Sequence, residues 1–275
     1  MERLRAEQVT ITYGNKNVVE GLNLIIPQGK VTALIGANGS GKSTILRTLS
    51  RLMRPSAGLV LLDGRSIHKQ STREIARHLT ILPQNPQNPA GLSVQELVSY
   101  GRYPRQRGMH GLSDEDKQAI ASAIDLTGLR GFAERPVDSL SGGQRQRAWI
   151  AMALAQETEW LFLDEPTTYL DMTYQLDILN LIRRLNREEG RTIVMIIHDL
   201  NQAARYADHL VAIKSGQVVC QGPPEQVINE QMLENVFAVK ADIFLDKRSG
   251  VPLCMPYETV HVSTSNKEGD SVGSL

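Results

Sequence analysis

Apolar and polar positions change period several times along this chain, and each change predicts an element. Residues 5–13 alternate loosely through Val9, Ile11 and Tyr13, the two-residue period of a half-buried strand, until Gly14-Asn15 turns the chain. Residues 22–26 form a second apolar run, ended by Pro27-Gln28-Gly29. Val31–Ile35 is apolar almost throughout, as a strand covered on both faces must be. Residues 43–53 take helical spacing through Ile45, Leu46 and Leu49, and 59–62 form a strand closed by Asp63-Gly64. Residues 71–79 read as a helix with Glu74 placed for a capping box on Ser71, and 80–82 as a strand. Residues 83–91, rich in proline, read as a loop. Three helices follow at 94–100, 114–127 and 142–156, with no strand between them. Trp160–Leu163 and 192–197 are buried strands, 173–187 and 200–207 helices, and 210–213 with 218–220 a hairpin around Ser215-Gly216. Residues 239–257 are weakly patterned, and 263–275 are polar and rich in glycine and serine, as a disordered tail would be.

Strands alternating with helices predict an α/β fold with a mainly parallel sheet. The three consecutive helices predict a helical insertion. Lys+Arg and Asp+Glu are both 30, so the formal charge is zero, which argues against bulk capture of nucleic acid or an anionic membrane. Residues 192–197 form one of the longest apolar runs, far short of the roughly 20 residues of a membrane span. The first ten residues carry no apolar stretch after their charges, so no secretory signal is expected. Cys220 and Cys254 alone make neither a metal cage nor a disulfide framework.

Three stretches carry chemistry. Gly36-Ala37-Asn38-Gly39-Ser40-Gly41-Lys42-Ser43 fits G-x-x-x-x-G-K-[ST] between a buried strand and a helix, the context a phosphate loop requires. Glycines let backbone N–H groups curl around an anion, and the helix N-terminus adds its partial positive charge. Lys42 supplies a cation for the β- and γ-phosphates, and the Ser43 hydroxyl suits Mg²⁺. Asp164 and Glu165 stand at the C-terminal end of a buried strand, where open α/β sheets hold ligands. Asp164 suits Mg²⁺ and Glu165 suits activation of an attacking water. An acidic pair alone would equally be solvated turn chemistry; the phosphate loop on the same sheet favours function. Third, Leu140 precedes Ser141-Gly142-Gly143-Gln144, which opens an apolar helix and offers a second anion site of N–H groups and a hydroxyl. Taken alone it would equally be a serine N-cap.

The order phosphate loop, Ser-Gly-Gly-Gln, acidic strand resembles the nucleotide-binding subunit of ABC (ATP-binding cassette) transporters, from Arg5 to about Ile228. The resemblance implies a P-loop NTPase cassette at about 4–240. Its RecA-like ATP-binding core is 1–84 plus 157–260 with an antiparallel N-terminal β part, its helical subdomain is 85–156, and 261–275 is a tail. It implies that Tyr13 stacks on adenine, that residues 36–44, including Thr44, bind nucleotide, and that Gln84 touches Mg²⁺ and water. It further implies that His198 contacts the γ-phosphate and that Ser141, Gly142, Gly143, Gln144 and Asp171 contact ATP held by a partner subunit. Lys42, Gln84, Glu165 and His198 are then the catalytic set, and Ser43, Gln84 and Asp164 the Mg²⁺ set. Thr168-Tyr169 before Leu170-Asp171 departs from the small pair common in the family.

Two anion sites separated by a subdomain are not expected to share one nucleotide within a chain, so two copies are expected, and the resemblance implies that they pair as a head-to-tail homodimer with two sandwiched ATP molecules. The resemblance implies two membrane-spanning permease subunits, an extracytoplasmic substrate-binding protein, no nucleic acid partner, and a place on the cytoplasmic face of the membrane. The segment from Leu82 to Pro104 and the pair Thr168-Tyr169 resemble the importer branch for ferric siderophores, haem and vitamin B12, with ferric siderophore preferred. An importer of another solute, or a non-transport ATPase acting on nucleic acid, remains the alternative. The latter would carry a long coiled coil or zinc-binding inserts, and neither pattern occurs here.

Overall fold

The computed structural model describes residues 3–84, 86, 91–106 and 111–260. The chain opens with β1 (Leu4–Tyr13) and β2 (Lys16–Ile26), an antiparallel pair, then β3 (Val31–Ile35) and α1 (Lys42–Leu49). β4 (Ala57–Leu62), β5 (Arg65–Ser66), α2 (Thr72–Ile75) and β6 (Leu79–Leu82) follow. The helices α3 (Val94–Ser99), α4 (Asp114–Leu126) and α5 (Gly142–Ala155) separate β6 from β7 (Trp160–Leu163). Then come α6 (Met172–Glu189), β8 (Thr192–Ile196), α7 (Leu200–Tyr206) and the hairpin β9 (His209–Lys214) and β10 (Gln217–Gly222). α8 (Pro224–Val227), α9 (Glu230–Phe237) and a second hairpin, β11 (Val239–Leu245) with β12 (Pro252–Thr259), complete the described chain.

Among the described residues, six strands form one sheet in the order β10-β9-β3-β8-β7-β6, parallel except for the β9–β10 pair. A four-stranded antiparallel sheet, β2-β1-β4-β5, packs on one face of it with α1. The helices α3 to α7 cover the other face. This explains why the central strands are apolar at successive positions. Trp160 and Phe162 point to the antiparallel side, and Leu161 and Leu163 to the helical side, all fully buried.

Because β3, β6, β7 and β8 run parallel, their C-terminal ends share one edge. Leu34 pairs with Ile196, Met195 with Leu163, and Leu163 with Leu82. Gly36, His198, Asp164 and Gln84 all leave the sheet there, and Asp164 N donates to Leu82 O at 3.0 Å. The helical insertion is tied by Arg102, almost wholly buried. Its Nε donates to Asp116 Oδ1 at 2.7 Å, and its Nη1 to Ala155 O at 2.7 Å and Glu157 Oε2 at 2.6 Å.

Four predicted elements differ. α1 stops at Leu49 rather than 53, because Arg51 turns left-handed (φ 68°), its guanidinium bonded to Ile67 O and Gln70 O. α2 spans only Thr72–Ile75; Ser71 caps it through Glu74 N, but the Gln156 side-chain amide takes the carbonyl of Ala76, and the helix does not continue to 79. β2 begins six residues earlier than the predicted run at 22. The weakly patterned 239–257 holds the paired strands β11 and β12, anchored by Asn201, which accepts from Cys254 N at 2.7 Å and donates to Cys254 O at 3.2 Å. The predicted tail at 261–275 lies outside the described residues.

Candidate active site

The phosphate loop is shaped by close approach. Gly36 takes φ 151°, and a Cβ there would lie 2.2 Å from the carbonyl oxygen of Ile213 on β9. Only glycine fits that path. The turn after β9 closes over the loop, with Gly216 N donating to Ser40 O at 2.8 Å. Gly41 is the N-cap of α1 in a left-handed conformation (φ 100°), and no side chain caps this helix. Its first amides are therefore offered to a ligand, with the helix dipole behind them. Lys42 is 5% exposed, and its Nζ donates to Gly36 O at 2.8 Å and Ala37 O at 2.9 Å. Burial lowers the pKa of its ammonium, while the charges of Glu165 and Asp164 pull it back up.

A cavity of about 300 Å³ opens beside this loop, lined by residues 38–44, Tyr13, Val18, Glu165 and His198. Tyr13 is half-exposed and lines the cavity, and its hydroxyl donates to Met53 Sδ at 3.4 Å. An aromatic face so placed can stack a base.

The acidic residues play distinct parts. Asp164 is 2% exposed; its Oδ1 accepts from Ser43 Oγ at 3.2 Å, and its buried Oδ2 has no hydrogen bond. The guanidinium of Arg47 stands 3.6 Å from Oδ2, beyond hydrogen-bond reach. Burial pushes the Asp164 carboxyl above its ordinary range, against the pull of Ser43 and Arg47. A hydroxyl and a buried carboxylate oxygen side by side, all-oxygen and with an unsatisfied lone pair, fit a magnesium ion that keeps most of its waters. Glu165, at a left-handed φ of 55°, turns its carboxylate toward three side chains. His198 Nε2 lies 2.7 Å from Oε1, and Gln84 Nε2 and Thr168 Oγ1 donate to Oε2 at 2.5 Å and 3.0 Å. Gln84, His198 and Glu165, read separately from the sequence, meet at one carboxylate. Thr168 escaped that reading, since its contact arises from the turn after β7 rather than from a motif.

The other predicted site residues stand apart. Ser141, Gly142, Gly143, Gln144 and Asp171 do not line the cavity. Ser141 caps α5 through Gln144 N at 3.3 Å, and Gln144 Oε1 accepts from Ser141 N at 3.0 Å, a complete capping box. Gly143 presses on α6, where an added Cβ would lie 2.5 Å from the Tyr174 ring. Asp171 is the N-cap of α6, accepting from Tyr174 N at 3.0 Å. Tyr169, left-handed at φ 64°, is 86% exposed and clear of the cavity.

The sequence pattern of the ABC transporter family matches residues 19–168. The chain is 54% identical, over 94% of its length and 97% of the relative's, to the iron(3+)-hydroxamate import ATP-binding protein FhuC of Bacillus subtilis (strain 168). The chain belongs to the ABC transporter family. It is an ATPase cassette of the ATP-binding type. It is also 48% identical to the ferric enterobactin transport ATP-binding protein FepC of Escherichia coli (strain K12), over 96% of this chain and 97% of that one. Among solved structures, the dimeric structure of a bacterial ABC transporter cassette is 29% identical, with a TM-score of 0.71, covering 80% of this chain and 98% of the other. No helix among the described residues of the cassette is long and apolar enough to cross a membrane.

Proposed function

We propose that this cassette hydrolyses ATP to energise import of a ferric siderophore, as a head-to-tail homodimer docked on two permease subunits. A substrate-binding protein delivers cargo from outside, and the cassette sits on the cytoplasmic face of the membrane. The convergence of Gln84, His198 and Glu165 beside a side-chain-free helix N-terminus carries the ATPase part of this reading. Two relatives near half identity, one named for iron(3+)-hydroxamate import and the other for ferric enterobactin transport, support the cargo class. The dimeric cassette structure supports the pairing of subunits.

In this reading residues 36–44 and Lys42 hold the phosphates, and Tyr13 stacks on the adenine. Ser43, Asp164 and Gln84 would hold Mg²⁺, which would neutralise phosphate charge. Glu165 takes a proton from water as the water oxygen attacks the γ-phosphorus. The bond to the β,γ-bridging oxygen breaks, and its electron pair leaves with ADP. His198 orients the γ-phosphate. Ser141, Gly142, Gly143, Gln144 and Asp171 act on the nucleotide held by the partner, which explains why they lie off the cavity of their own chain. The helical subdomain, 85–156, and the core, 1–84 with 157–260, then move against each other through Gln84.

Removal of the gene should impair growth on a ferric siderophore as sole iron source and leave growth on sugars and amino acids intact. Complementation with Glu165→Gln should fail, while the purified variant binds ATP and elutes as a dimer with MgATP. Normal uptake of every iron chelate, with a defect for an unrelated solute, would overturn the cargo but not the ATPase.

A further inference from the structure

The turn after β7 holds Glu165 by a second route. Thr168 N donates to the Glu165 carbonyl at 3.3 Å, closing a four-residue turn, and Thr168 Oγ1 donates to Glu165 Oε2 at 3.0 Å. The turn begins at left-handed Glu165 and leads into left-handed Tyr169. Backbone and side chain of one threonine thus fix the same glutamate. The remaining two contacts, Gln84 on Oε2 and His198 beside Oε1, come from the ends of β6 and β8. Both of those side chains carry duties toward nucleotide in the proposed mechanism, and Thr168 does not.

We propose that the Thr168 hydroxyl is a positioning residue for Glu165, an inference that rests on Glu165 being the base. When Gln84 and His198 turn to the nucleotide, Thr168 still holds Oε2. Oε1 is then the oxygen that accepts the proton of the attacking water, whose oxygen bonds to phosphorus. Thr168 also stands three residues before Asp171, the N-cap of α6.

The test is steady-state ATPase kinetics of the full chain carrying Thr168→Val or Thr168→Ser. Thr168→Val keeps the shape and loses the donor, so kcat falls about tenfold, the scale of one hydrogen bond to a charged group. KM for ATP stays within about twofold, because ATP itself is not touched. Thr168→Ser restores the hydroxyl and returns most of kcat. Combined with Glu165→Gln, Thr168→Val leaves the residual rate unchanged, since the tethered carboxylate is gone. A Thr168→Ser enzyme as slow as Thr168→Val, a kcat unaffected by Thr168→Val, or a matching rise in KM overturns the tether. If Thr168→Val also melts earlier, the serine variant and the combined variant still decide. Full turnover by Glu165→Gln alone would instead overturn the base assignment.

Discussion

The two glycine-bearing helix starts of this cassette look alike in sequence and differ in what they do with their amides. α1 begins at left-handed Gly41 with no side-chain cap, behind a loop that Gly36 threads against the Ile213 carbonyl. α5 begins at Ser141 with a reciprocal capping box to Gln144. The first leaves its donors for a phosphate and surrounds them with Lys42, Asp164 and Glu165. The second already satisfies two of its donors and stands away from the cavity, held to α6 by the Gly143–Tyr174 contact. In the proposed reading one start is a site within its own chain. The other, in the same reading, is a self-capped surface that meets a ligand presented by another subunit.

The widest separation between the two is expected for Lys42→Ala, which removes a buried cation and weakens ATP binding by about a hundredfold or more. Fluorescent-nucleotide titration of the purified chain checks it, and near-normal affinity would refute the phosphate-loop assignment. Ser141→Arg should do the reverse. Turnover falls roughly a hundredfold as closure is blocked, while ATP binding to the lone chain stays within about twofold. A normal rate would rule out the sandwich.

A smaller effect follows from packing. Gly143→Ala forces a methyl into the Tyr174 ring and should cost about 1–3 kcal/mol in denaturant unfolding. Adding Tyr174→Ala should return part of that loss; no recovery would mean the contact is not the cause.

The smallest effect concerns Asp164. Its folded-state pKa is raised by burial above the unfolded value, so the ionised carboxylate opposes folding once pH exceeds the unfolded range. Without nucleotide, Asp164→Asn should therefore raise the melting temperature by a few degrees at neutral pH. The gain should shrink as pH falls and vanish below the ordinary aspartate range, where the wild-type carboxyl is protonated in both states. A gain independent of pH would point to packing instead.

Most of the candidate site could be read directly, because its chemistry is written in contiguous runs. The residues 36–44 need a strand before them and a helix after them, and both patterns are strong on either side. Ser141 is legible as an N-cap from its place before a helix, and the structure adds the reciprocal bond from Gln144. Thr168 did not announce itself, because its bond to Glu165 depends on a left-handed backbone at Glu165. The short α2 and the early end of α1 were hidden for a similar reason: distant partners, Gln156 and the carbonyls of Ile67 and Gln70, settle where each helix stops. The hairpin of β11 and β12 is half-exposed, and Asn201 on α7 bonds both the N–H and the carbonyl of Cys254, a long-range contact that local periodicity cannot reveal.

The sequence by itself determined the buried strands, the capped helices, the phosphate loop and the acidic pair, because each rests on a local period or on adjacent residues. Only the folded chain shows that Gln84, His198 and Thr168 gather at the Glu165 carboxylate, while the separation of Ser141 and Asp171 from the cavity follows the sequence expectation. Parallel register brings the ends of β3, β6, β7 and β8 to one edge, and packing of α5 on α6 carries the second helix start elsewhere. Those are long-range consequences of burying both faces of a single sheet, and no local run of residues encodes them.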